Sequence, residues 1–312
     1  MNASPLQKAK RALTGEASVE RPPAPFVVGL TRSGTTLLRM MLDAHPELTI
    51  PPETHFVPDL IAAARVGGDP NELCDAVTGN RTWGDFGISA GELRARFAGV
   101  ERGDAGAAVR AFFEAYAERQ GKPRWGDKTP AYMLGVRKIG RALPETRFIH
   151  LIRDGRDVAL SQSERAINEQ PPRAEQAERW VNRIRKSREQ AAELSGPRYV
   201  EARYEDLVRE PEKTLRRICE FCDLRWEGEM LRYHERAAER LEEMAGELEA
   251  TEDGGARQEA GYRVANHAPT TKPPDPSKLD KWRREMSPDD LAAYEQVAEP
   301  MLRELGYEVV TR

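Results

Sequence analysis

The stretch FVVGLTRSGTTLLRMMLDAHPEL, residues 26–48, decides the fold class. Phe26 to Leu30 is short, apolar and β-branched, as expected of a strand buried on both faces of a parallel sheet. Thr35 to His45 has helical spacing and stops at Pro46, which disfavours continuation. Between them Gly29 and Gly34 enclose four residues, the spacing of a loop that wraps a phosphate. A nucleotide-hydrolysing loop would continue with lysine and then serine or threonine, but this chain has Thr35 and Thr36. The glycines let backbone approach an anion, and the first N–H groups of the helix point at it with the dipole in favour. Without the lysine the loop is poorly equipped for a triphosphate and its magnesium, whereas Arg32 at its crest offers a planar cationic fork to one anion. The plainer alternative is a tight turn capped by Ser33 or Thr35. Strand, loop, arginine, hydroxyls and helix in this order favour the anion site.

Further strands are expected where PRWGDKTP ends, at RFIHLIRD and at PRYVEARYEDL, with helical stretches between them. The alternation predicts an α/β fold: a P-loop-like, mostly parallel sheet flanked by helices on both faces, with helical insertions. Ligands of such sheets bind beyond the carboxyl ends of the strands. Residues 1–25 read as a polar, proline-rich leader and 26–312 as one domain. Within it lie a helical insertion over about 54–120 and a charged helix fading into a loop or lid over about 229–272. Ser287, Pro288 and the acids after them mark the start of a last helix.

HLIRDGRDVALSQSERA supplies a second cationic cluster at a strand end. Ser161 and Arg165 follow Arg153 at spacings of eight and twelve, which return to one side of a helix. Alone it reads equally well as a solvated charged helix. Two clusters at neighbouring strand ends suggest a ligand with two separated phosphates.

Charged residues make up 32% of the chain, apolar ones 39%, and the net charge is -4. That balance argues against general nucleic-acid or membrane affinity and confines any anion site to a local concentration of Arg and Lys. Cys74, Cys219 and Cys222 are too few and odd in number for a disulfide framework. Cys219 and Cys222 fit an apolar helical face and read as core thiols. No apolar run approaches membrane-spanning length, and a cytoplasmic location is the default expectation. Nothing decides between a monomer and a homodimer.

The two clusters together resemble the sulfotransferases that use 3′-phosphoadenosine-5′-phosphosulfate (PAPS). GLTRSGTTLLRMML is similar to that family's 5′-phosphosulfate loop. LIRDGRDVALSQ is similar to its 3′-phosphate motif, in which the arginine and the serine eight residues on hold the phosphate. RSGTTLLRMMLDAHPELTIPPETHFVP further resembles the tyrosylprotein sulfotransferases and their bacterial relatives, and the likeness runs in order from about Phe26 to Trp282. It implies Glu53 as the base and Arg32 and Lys128 as cations at the bridging and sulfuryl oxygens. Ser33, Gly34, Thr35 and Thr36 would hold the 5′ side, and Arg153, Ser161, Arg165, Tyr204 and Lys272 the 3′ side, with no metal required. His55 stands where the tyrosylprotein enzymes have a second substrate-side arginine, which makes it a substrate contact and a rival base. The residues alone prefer neither Glu53 nor His55; the family position favours Glu53. The acceptor bears a hydroxyl, on tyrosine, sugar or a small molecule, and its identity stays open. Competing readings are a kinase-like phosphotransferase and a non-catalytic nucleotide-binding protein.

Overall fold

The computed structural model describes residues 21–164, 170–250 and 257–311. The central sheet has four parallel strands in the order β4-β1-β5-β6: β1 (Ala24–Val28), β4 (Asp127–Lys128), β5 (Thr146–Ile152) and β6 (Tyr199–Arg203). Two short strands, β2 (Leu48–Thr49) and β3 (Arg124–Trp125), pair separately, so PRWGDKTP contributes to two sheets. β1 begins inside the stretch read as leader, at Ala24. Pro25 is accommodated because Ala24 directs its N–H to Glu145 O on the β5 side, while pairing with β4 starts only at Phe26.

The sheet is covered on both faces, as the alternating strand pattern requires. Phe26, Val28, Phe148 and Ile152 face one apolar layer, and Val27, Ile149 and Leu151 face the other. The first layer includes the helices Val57–Arg65, Pro70–Thr78, Ala90–Phe97 and Ala105–Arg119. Asp69, Ser89 and Asp104 cap the starts of the last three through side-chain acceptors. Edge-to-face rings join this group to the sheet, Phe56 to Phe112 at 4.7 Å and Phe113 to Phe26 at 6.0 Å. The last helix, Pro288–Glu304, starts at Ser287, whose hydroxyl accepts from Asp290 N, and packs on the Arg173–Ala192 helix. Cys219 and Cys222 are buried free thiols that burial pushes up to about 11 and about 12.

The second layer holds the Thr35–Asp43 helix and, beside it, the helix His234–Glu242. The latter is the charged helix expected there, and Arg240 is buried in it. Its guanidinium meets the Asp43 carboxylate at 2.8 Å and the Tyr116 hydroxyl at 2.9 Å, and also pairs with Glu243. Glu243 in turn takes Arg39 at 3.1 Å. Burial would raise the Asp43 carboxyl, yet Arg240, Lys122 and Arg39 together hold it below its ordinary value. Among the described residues no helix is long and apolar enough to cross a membrane.

Removing Arg240 would leave the Asp43 carboxylate buried without its main counter-ion. Arg240→Ala should therefore lower unfolding free energy by about 3–5 kcal/mol, measured by urea denaturation at neutral pH. A loss below about 1 kcal/mol would mean that Lys122 and Arg39 suffice.

Candidate active site

At the carboxyl end of β1 the chain enters the loop Gly29–Gly34. Arg32 adopts a left-handed φ of 73° and Gly34 one of 87°. Gly34 admits no side chain: a Cβ there would stand 2.3 Å from the Tyr204 ring. Gly34 itself is the N-cap of the Thr35–Asp43 helix, and neither Ser33 nor Thr35 caps it. Ser33 Oγ is buried without a hydrogen-bond partner. An uncapped helix start beside an orphaned buried hydroxyl is the donor set of an anion site.

The second cluster closes on the first. Arg153, just past β5, donates to Arg32 O at 3.1 Å and to Asp157 Oδ2 at 3.4 Å, and lies 4.8 Å from the centre of the Tyr204 ring. Its Nε is buried without a partner. Ser161 accepts from Arg32 Nε at 3.2 Å, so the serine spaced eight residues from Arg153 meets the loop arginine. Asp157 is held by the backbone N–H of Trp282 at 2.9 Å, and the Trp282 ring lies under Arg156. Arg165 lies outside the described residues.

The third group brings a lysine to the loop from a neighbouring strand. Lys128, at the end of β4 and 1% exposed, donates to Thr36 Oγ1 at 3.3 Å and ion-pairs with Glu53. The other Glu53 oxygen meets His55 Nε2 at 3.1 Å. His55 sits at a left-handed φ of 48°, and its side chain is 41% exposed. Burial pushes the Glu53 carboxyl up, but Lys128 and His55 outweigh it and hold Glu53 far below the ordinary carboxylate range. Burial lowers the Lys128 ammonium, and Glu53 offsets part of that fall.

A cavity of about 930 Å³ is lined on the sheet side by Arg32, Gly34, Thr35, Thr36, Glu53, Arg153 and Tyr204. Its roof is the segment Ala265–Lys278, which brings Lys272 to the rim; Tyr233 OH donates to Lys272 O at 2.7 Å. The roof also brings His267, which the sequence reading missed because its segment has neither periodicity nor a motif. Burial holds this imidazole down near 3, with Lys128 adding to the effect and Glu53 opposing it, so it is neutral at pH 7.

Residues 23–228 match the Sulfotransferase family, and the chain belongs to that family. Over 292 residues it is 27% identical to protein-tyrosine sulfotransferase 2 of Gallus gallus, covering 92% of this chain and 70% of that protein. Identity and coverage are the same against protein-tyrosine sulfotransferase 1 of Homo sapiens. The fold matches the sulfotransferase domain from the curacin biosynthetic pathway, with a TM-score of 0.58 at 20% identity over 93% of this chain and 99% of that one. It also matches the sulfotransferase domain of the Synechococcus PCC 7002 olefin synthase, with a TM-score of 0.55 at 24% identity over 95% and 99%. The protein is an enzyme of sulfuryl transfer, with PAPS as the family's co-substrate, and the kinase-like reading falls away.

His267 makes acid stability measurable. The unfolded chain binds its proton near 6.5 and the folded one only near 3, so this residue's contribution to stability falls as pH drops through that window and is level above it. His150, held near 4 by burial, adds a parallel loss. Wild type should lose its stability advantage over His267→Asn between about pH 6.5 and pH 3, read from urea midpoints; a difference independent of pH would contradict this.

Proposed function

We propose that the enzyme transfers the sulfuryl group of PAPS to a phenolic hydroxyl, a tyrosyl side chain foremost, with Glu53 as general base. The observation that carries the reading is the contiguous set Thr36–Lys128–Glu53–His55 at the mouth of the uncapped loop. The named activity of the relatives supports the tyrosyl acceptor. Ser33 Oγ, the Gly34–Thr36 N–H groups and the two threonine hydroxyls suit the 5′-phosphate. Arg153, Ser161, Tyr204, Lys272 and, outside the described residues, Arg165 suit the 3′ side. Two orphaned donors, Ser33 Oγ and Arg153 Nε, fit a ligand that brings an anion to each cluster.

When bound, PAPS supplies an electrophilic SO3 group on a phosphate leaving group. Arg32 and Lys128 are fixed cations beside it, so charge is balanced by side chains and no metal is called for. Glu53 is ionised throughout the neutral range and able to take a proton. While Lys128 and His55 hold it, its proton affinity is low. It rises only as Lys128 shares its charge with a second anion, which ties proton removal to an occupied loop. His55, exposed beyond Glu53, is an acceptor-side contact.

Incubation with ³⁵S-labelled PAPS should label a tyrosine-containing peptide and 2-naphthol, and leave glucose unlabelled. Label on the sugar alone would overturn the acceptor class. Glu53→Gln should keep affinity for adenosine 3′,5′-bisphosphate and lose about 10²–10⁴-fold of transfer. Full turnover in that variant would move the base to His55 or His267.

A further inference from the structure

Behind Glu53 and Lys128 lies a second, fully buried pair. Two consecutive residues of the 53–55 turn engage two consecutive residues of β4: Glu53 meets Lys128, and Thr54 meets Asp127. The Thr54 hydroxyl donates to Asp127 Oδ1 at 2.8 Å, and the Thr129 hydroxyl reaches the same oxygen at 3.3 Å. Thr129 Oγ1 accepts from Thr54 N at 3.0 Å, and the Tyr132 hydroxyl bridges Thr54 Oγ1 at 2.8 Å and Val57 N at 3.0 Å. Thr54, Asp127 and Thr129 are all 0% exposed. The backbone carrying Glu53 is thus pinned on both sides of the left-handed His55.

Hydroxyl contacts alone would be served equally well by an amide. A carboxyl here has a cost, because Asp127 Oδ2 is buried without a partner. What the carboxyl adds is charge, and it faces the Lys128 ammonium and the His55 imidazole. Lys128 is faced in turn by Glu53, Asp127, Arg39 and the neutral His267. Once Glu53 has accepted a proton its charge is gone, and Lys128, lowered by burial, retains Asp127 alone among these as an anion.

We infer that Asp127 is a positioning residue for the reaction: through Thr54 it fixes the backbone that carries Glu53, and its charge holds Lys128 as a cation when Glu53 is neutralised. This rests on the assignment of Glu53 as base. Burial raises the Asp127 carboxyl to about 7, so the charge it offers is present above that pH. Below it Asp127 is neutral and that charge is gone.

Lysine ¹³Cε NMR on the full chain reads this without an acceptor, with Lys128→Arg assigning the resonance. Glu53→Gln mimics the protonated base, and the Lys128 titration in it is compared with that in Glu53→Gln/Asp127→Asn. The double variant should titrate lower by about one pH unit or more, the effect of removing a nearby opposite charge. Equal midpoints would overturn the inference. Glu53→Gln/Thr54→Val, which weakens the Asp127 carboxylate from the other side, should also move Lys128 downward, by less, and no movement would count against the inference. It stands in for the first double variant should that one not bind adenosine 3′,5′-bisphosphate. Because the titration needs no turnover, failure of Glu53 as base, seen as an active Glu53→Gln, is distinguishable from failure of Asp127.

Discussion

Hydrogen bonding of β1 in parallel to both β4 and β5 is the constraint on which the site depends. Parallel strands end on the same rim, so each of the four sheet strands delivers a group there: the glycine loop after β1, Lys128 at the end of β4, Arg153 after β5 and Tyr204 after β6. A slip of one residue in any of these pairings would turn buried apolar side chains outward and carry the rim groups away. The apolar alternation of Phe26, Val27 and Val28 between the two layers protects against such a slip, and so protects the site's geometry.

The long elements of the fold were legible in the sequence. β1 and β5 are largely apolar runs, β6 is a short YVEAR stretch after Pro197, and the loop helix and last helix carry clear periodicity or caps. β2, β3 and β4 were not separable, because two residues make no period. The site was legible wherever its parts are neighbours in the chain: Arg32 to Thr36 form one loop, and Arg153 and Ser161 share one turn-and-helix unit. That Ser161 faces Arg32 could not be read, since the helix carrying it is placed by tertiary packing. The contact of Lys128 with Glu53 joins residues far apart in sequence, and His267 arrives on a breaker-rich segment whose place over the cavity comes from packing. Arg240 was not singled out for a different reason: an arginine in a charged stretch ordinarily faces solvent, and only an acid buried elsewhere makes the interior acceptable.

Much of this molecule's polar chemistry is buried, and it conflicts locally with stability. Ser33 and Arg153 keep donors unsatisfied, Asp127 keeps an unpartnered oxygen, and Arg32 and His55 hold strained backbone. Such features cluster where a ligand must be received in a fixed geometry, and the surrounding core offsets their cost. The missing loop lysine belongs to the same pattern. Its charge comes from β4 instead, where it can be balanced against a carboxylate across the cavity mouth.

The match to the family covers residues 23–228, whereas Arg240 lies beyond it and reaches back to the last residue of the loop helix. A chain divided at that border would keep every strand of the sheet and still be incomplete, with a carboxylate sealed in its interior and little to neutralise it. The stretch matched to the family and the mechanically complete unit therefore have different borders in this protein. The segment beyond the match secures the loop helix inside it, through the arginine that anchors the two together.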